Sequence, residues 1–129
     1  ERNNHGHAVL LKLRDIYPVR RIYAEEYIDR DNDDDTPRPG WYTTRQSKPI
    51  LSDGLKTLLR ERCAGIRWIG TVTEATSYVY DAKGSMNAQE GCFDDQLMSY
   101  MIAQEMRARM PITNRTKESE RKQSHWMTH

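Results

Sequence analysis

Cysteine is scarce in this chain of 129 residues, and the two present, Cys63 and Cys92, stand far apart and outside any C-x-x-C pattern. That spacing excludes a disulfide framework and a cysteine-based zinc site, and it fits free thiols in a reduced, cytosolic compartment. Long hydrophobic runs are missing as well. The longest are four or five residues, such as Ala8–Leu11, so no segment is expected to span a membrane. No signal-peptide pattern opens the chain. Apolar residues are sparse, 36% against 30% charged, so the core must be thin or part of the chain solvated. An excess of charge is absent too. Twenty basic residues nearly cancel nineteen acidic ones, so nucleic acid could be met only through local patches. Neither an internal repeat nor a Walker-type G-x-x-x-x-G-K-[ST] occurs. The chain opens on Glu1-Arg2-Asn3-Asn4 without an initiator Met and is expected to be a fragment of something longer.

What is present reads as one α/β domain in which helices and strands interleave. The spacing of Ala8, Val9, Leu11, Leu13 and Ile16 predicts a helix over 5–16, with Asn3 or Asn4 as its N-cap and Pro18 beyond its end. The segment 22–28 is rich in β-formers and predicts a strand; the acidic, proline-bearing stretch Asp29–Gly40 predicts an exposed loop. A second helix is expected over 49–62, capped by Ser47 or Lys48, with Leu51, Leu55, Leu58 and Leu59 at helical spacing and Gly65 as its stop. Short strands are expected at 66–69 and 77–80, with a turn at Asp81–Gly84. A third helix over 94–109 places Leu97, Met98, Met101, Ile102 and Met106 on one face. Residues 1–110 are assigned to the domain and 111–129, which lack periodicity, to a flexible polar tail.

The segment Gly91–Ala103 carries the most chemistry. Asp94 could cap a helix while Asp95 meets its dipole. Adjacent carboxylates also repel, and a divalent cation is one reason to tolerate them. Glu1 would sit at a strand end just before a turn, either as a surface glutamate or as a partner to that pair. Other candidates are weaker. Asp29, Asp31 and Asp33 imitate an EF-hand loop, but Asp34 and Gly40 stand where glycine and glutamate are needed. His5 and His7 lack further ligands at zinc spacing. The basic run from Arg107 to Lys122 could touch phosphate, though Glu105, Glu118 and Glu120 dilute it.

Glu1-Arg2-Asn3-Asn4-His5-Gly6 resembles the E-x-N-x-x-G strand–turn–helix of the nuclease domain in large terminase subunits of tailed bacteriophages. Gly40-Trp41-Tyr42-Thr43 with Lys48-Pro49 resembles the same family's G-W-x-T…K-P segment. Glu74, Tyr78-Val79, Ala88, Gly91 and Asp94-Asp95 resemble its E…F-V…A…G-x-x-D-D stretch. The segments run in the family's order over residues 1–109. The resemblance implies a ribonuclease H-like mixed sheet flanked by helices, truncated here on its N-terminal side. It implies an endonuclease that cuts concatemeric viral DNA during packaging, with two Mg²⁺ or Mn²⁺ ions about 3.5–4 Å apart activating water and stabilising the leaving oxygen. Glu1, Asp94 and Asp95 are the implied catalytic and metal-ligating residues, Asp94 favoured over Asp95 as the direct ligand. The family's first aspartate lies upstream of the E-x-N segment, so the fragment alone is expected to cut poorly or not at all. Implied partners are double-stranded DNA, the ATPase domain, the small terminase subunit and the portal, in the host cell cytoplasm. Two alternatives are a non-catalytic DNA-binding or motor-docking module, and another ribonuclease H-like nuclease such as a transposase or resolvase, against which the Trp41 and Lys48-Pro49 segment argues.

Overall fold

The computed structural model describes residues 1–25, 28–29, 34–35 and 37–110. The expected tail at 111–129 with its basic residues, and Asp31 and Asp33 of the imitation calcium loop, lie outside the described residues. The architecture is α/β: helices α1 (Gly6–Ile16), α2 (Lys48–Arg60), α3 (Ile69–Thr76) and α4 (Asp95–Arg109) alternate with short strands β1 (Ala24–Glu25), β2 (Ile28–Asp29), β3 (Asp34–Asp35), β4 (Arg38–Pro39), β5 (Tyr78–Tyr80) and β6 (Met86–Ala88). Every strand pair among the described residues is antiparallel: β1 with β4, β2 with β3, and β5 with β6. The first two pairings keep one register, so they belong to one hairpin. The mixed sheet expected from the resemblance has no counterpart among the described residues.

One expectation for this hairpin is corrected. Strand residues 24–25 and 28 fall within the strand expected over 22–28, whereas Asp29–Gly40, expected as a loop, supplies the returning strands β3 and β4 among its described residues. The hairpin closes inward through the Gly40 N–H, which donates to the Tyr23 carbonyl at 2.7 Å. Gly40 holds φ +82° there, a conformation that favours glycine, and a Cβ would in addition force the end of the Leu10 side chain to shift.

The helices end for local reasons. Tyr17 leaves α1 in extended conformation ahead of Pro18, and Met110 leaves α4 likewise ahead of Pro111. Gly65, the expected stop of α2, is not the residue that turns the chain. Arg62 takes the left-handed position at φ 57°, with its N–H on the Leu59 carbonyl and that of Cys63 on the Leu58 carbonyl at 2.8 Å. This is a Schellman closure that usually selects glycine.

The segment 66–69, expected as a strand, is corrected too. Trp68 is extended, but Ile69 begins α3. Intrinsic propensity is poor across this β-branched run, so tertiary contact decides it. Thr71 is buried and the helix packs against α4, while Thr73 donates to the Ile69 carbonyl within the turn. The turn at Asp81–Gly84 is as expected, joining β5 to β6.

The core is as thin as the composition implies. Leu51 and Leu55 of α2 meet Leu97 and Met101 of α4, with Trp41 and Tyr78 closing the sides. Each helix offers an i, i+4 pair, so the two stripes interlock along a turn. No helix among the described residues is long and apolar enough to cross a membrane.

Candidate functional site

The segment after Glu1 is fastened to the segment around Trp41 by backbone and amide contacts. The Arg2 N–H donates to the Trp41 carbonyl at 2.8 Å. Asn3 makes two bonds to Thr43: its Nδ2 donates to the carbonyl at 2.8 Å and its Oδ1 accepts the N–H at 2.9 Å. The Arg2 guanidinium meets the Glu25 carboxylate at 2.7 Å. Asn3 was expected as an N-cap of α1; its side chain instead bridges to Thr43, and its carbonyl accepts the Gly6 N–H. Asn4 is no cap either. His5 is the N-cap residue, without a side-chain bond. Gly6 is required because a Cβ would overlap the Glu1 carbonyl.

Ser47, expected to cap α2, is likewise spent elsewhere. Its Oγ donates to the Tyr42 carbonyl and accepts from the Thr44 N–H, closing the turn that delivers Lys48. Lys48 then projects toward the β5–β6 hairpin and the start of α4. Its Nζ donates to Asn87 Oδ1 at 2.6 Å, lies 3.9 Å from Asp94 Oδ2, and sits 5.8 Å from the centre of the Tyr78 ring. Asn87 is itself oriented, its Nδ2 donating to Asp81 Oδ2 at 2.8 Å. Asp81 in turn accepts the N–H groups of Lys83 and Ser85. These backbone donors, that of Ser85 first, hold the Asp81 carboxyl below its ordinary pKa, so it stays ionised. A line of polar contacts thus runs from the hairpin turn through Asn87 and Lys48 to Asp94.

Asp94 does not cap α4. It is the N-cap residue by position, yet its side chain makes no capping bond. The cap comes from α3, where Glu74 Oε2 accepts the Leu97 N–H at 2.7 Å. That gives Glu74 a structural duty its place in the motif did not reveal. The Asp94 carboxylate is left half-buried beside Lys48 and Tyr78. Burial pushes the Tyr78 phenol pKa up, and the Asp94 charge adds to the shift, so that hydroxyl stays protonated, within 3.4 Å of Ser52 Oγ.

Asp95 parts company with its neighbour. It is exposed and borders an open depression with Trp68, Thr71 and Ser99. Glu1 is exposed and has no ion pair among the described residues. His5 and His7 are exposed at the start of α1. Among the described residues no three His, Cys, Asp or Glu side chains gather into a group that could hold a metal ion. Glu1, Asp94 and Asp95 therefore do not make a metal site by themselves. The cation beside Asp94 is the Lys48 ammonium.

The sequence offered Lys48 as a helix cap and part of a motif segment and Asp81 as part of a turn, gave neither a place in the site, and did not single out Asn87. The lysine was visible within the Lys48-Pro49 segment, but its partner Asn87 lies 39 residues away, and no local pattern links the two. A larger cavity of about 470 Å³ lies between α2 and α4, lined chiefly by Leu51, Leu55, Leu58 and Met101, and it includes none of the motif acids. Comparison with protein-family profiles, curated proteins and solved structures gave no match.

Proposed function

We propose that this chain is the distal part of a metal-dependent DNA endonuclease domain of the large-terminase type, hydrolysing phosphodiester bonds of concatemeric viral DNA, with Asp94 as the principal acid. One observation carries the reading: the motif segments, far apart in sequence, meet in space. Asn3 of the first bonds Thr43 of the second, Lys48 of the second faces Asp94 of the third, and Glu74 supports the helix that Asp94 opens. An ion pair as loose and as partly solvated as Lys48–Asp94, at 3.9 Å, contributes about 1 kcal/mol at most. Stability alone is therefore a weak reason for a half-buried carboxylate held at a helix start.

In the resembled family an aspartate from an earlier strand completes the site, and that acid belongs to the proposed Mg²⁺ or Mn²⁺ centre as much as Glu1 and Asp94 do. Asp95, turned toward the other side of α4, falls behind its neighbour as a ligand. The ribonuclease H-like sheet is part of the same proposal, with the described helices and hairpins lying beside it. So are the implied partners: double-stranded DNA, the ATPase domain, the small terminase subunit and the portal, in the host cell cytoplasm.

The Lys48–Asp94 pairing, together with the scattered acids, also favours a second reading. In it the chain is a non-catalytic DNA-binding or motor-docking module, and Lys48 neutralises Asp94 permanently. Plasmid cleavage separates the two. A chain extended on its N-terminal side to supply the resembled family's first aspartate should nick plasmid in Mn²⁺. Asp94→Ala should lower the rate on the order of 100-fold, as expected when one charge-stabilising group leaves a catalytic site, and Asp95→Ala should lower it less. Cleavage undiminished in Asp94→Ala would remove the assignment.

A further inference from the structure

Beside Lys48 a small cavity of about 100 Å³ opens between the start of α2 and the β5–β6 hairpin. Arg45, Lys48 and Lys56 line it, against the single carboxylate of Asp53. Local pairing does not use up their donors. An ammonium offers three N–H groups and a guanidinium five. Lys48 gives one to Asn87, while Asp94 at 3.9 Å lies beyond hydrogen-bond reach. Lys56 gives one to the Tyr80 hydroxyl at 2.5 Å and a long one to Asp53 at 3.4 Å. Arg45 is exposed and has no partner among the described residues. Tyr80 also lines the cavity, and its hydroxyl, having accepted from Lys56, retains a proton with no acceptor among the described residues. Lys56 is a cation at neutral pH like any exposed lysine, and the Tyr80 contact raises its pKa further. Donors of three kinds therefore converge on a space that suits one tetrahedral oxyanion.

We infer that this recess is a phosphate subsite, holding one phosphodiester of a nucleic-acid backbone through Arg45, Lys48, Lys56 and Tyr80. The inference deepens the nuclease reading and rests on it for the choice of nucleic acid over a free phosphate. Lys48 joins the recess to Asp94, so a strand held here is presented to the acid from a fixed side.

The test uses the 129-residue chain in EDTA, titrated with inorganic phosphate and, separately, with a short labelled duplex lacking terminal phosphates. Tyr80 ring resonances and fluorescence anisotropy are the readouts. Duplex should bind and shift Tyr80. The double variant Arg45→Ala, Lys56→Gln should weaken binding about tenfold and flatten the log–log salt dependence by about 0.9 for each phosphate no longer neutralised. Lys56→Arg should restore part of the affinity, and circular dichroism confirms that each variant is folded. Duplex binding unchanged in the folded double variant, or a Tyr80 signal that moves with neither ligand, would overturn the subsite. Phosphate that shifts Tyr80 where duplex does not would overturn nucleic acid as its source. No metal or cleavage enters these titrations, so a failed titration leaves the nuclease reading standing, and an inactive nuclease leaves the recess standing.

Discussion

Helices α1 and α4 both carry apolar residues at helical spacing, yet the molecule treats them in opposite ways. In α1 no residue is buried, and Val9 and Ile16 are 60% and 72% exposed. In α4, Leu97 and Met101 are 0% and 2% exposed. The difference lies in the partner. Opposite α4 stands α2, with Leu51 and Leu55 at the same i, i+4 spacing, whereas no helix or strand among the described residues packs along α1 in this way. Asn3 bridges to Thr43 just before it, and Leu10 lies against Gly40. One helix is held by packing and the other by polar tethers. An apolar stripe marks a helix willing to be buried; it does not say against what.

The contrast can be broken most easily at the core. Leu97→Ala should cost about 3 kcal/mol in urea unfolding, within the usual range for a fully buried leucine. Ile16→Ala should cost less than about 1 kcal/mol, since little area is recovered from water. Equal losses would mean that α1 is covered in solution after all. The tether comes next. Asn3→Ala strands the N–H and carbonyl of Thr43 and should cost about 2 kcal/mol, more than any apolar truncation within α1; a smaller loss than that of Ile16→Ala would reverse the account of how α1 is held. The smallest effect concerns the start of α4. Glu74→Ala removes the cap on Leu97 and should cost about 1 kcal/mol, whereas Asp94→Asn should change stability by less than about 0.5 kcal/mol because it removes no more than a loose ion pair. Thermal or urea unfolding of both variants checks the ranking, and the reverse order would mean that the Asp94 charge, more than the Glu74 cap, holds the start of α4.

How much of this was legible follows the range of each interaction. Helices α1, α2 and α4 could be read because 3.6-residue periodicity is local and because Pro18, Pro49 and Pro111 punctuate it. Helix α3 could not: Ile69, Thr71, Val72 and Thr73 read as β-formers, and only packing against α4 overrides them. In the first hairpin the arm at 22–28 could be read from its β-formers, but the returning arm could not, because Asp34–Asp35 and Arg38–Pro39 carry charges and a proline in place of apolar alternation. At the candidate site, the residues named from the sequence were placed, but their division of labour was not legible. Asp94 and Asp95 are adjacent in sequence and turn to different sides of one helix start. Glu74 serves a backbone N–H 23 residues further on. Lys48, the residue that links the motif segments, has chemistry that depends on partners from two other elements.

Trp41 gives the molecule a mechanical character. Its carbonyl receives the Arg2 N–H, and the Arg109 guanidinium lies 4.9 Å from its ring centre, anchored also to Tyr23 and Glu105. The beginning and end of the described chain therefore meet at one residue, the first through its backbone carbonyl and the last through its ring. A pull applied at either end loads that clasp early, before it strains the leucines between α2 and α4. Tension entering at one end would reach the other through Trp41.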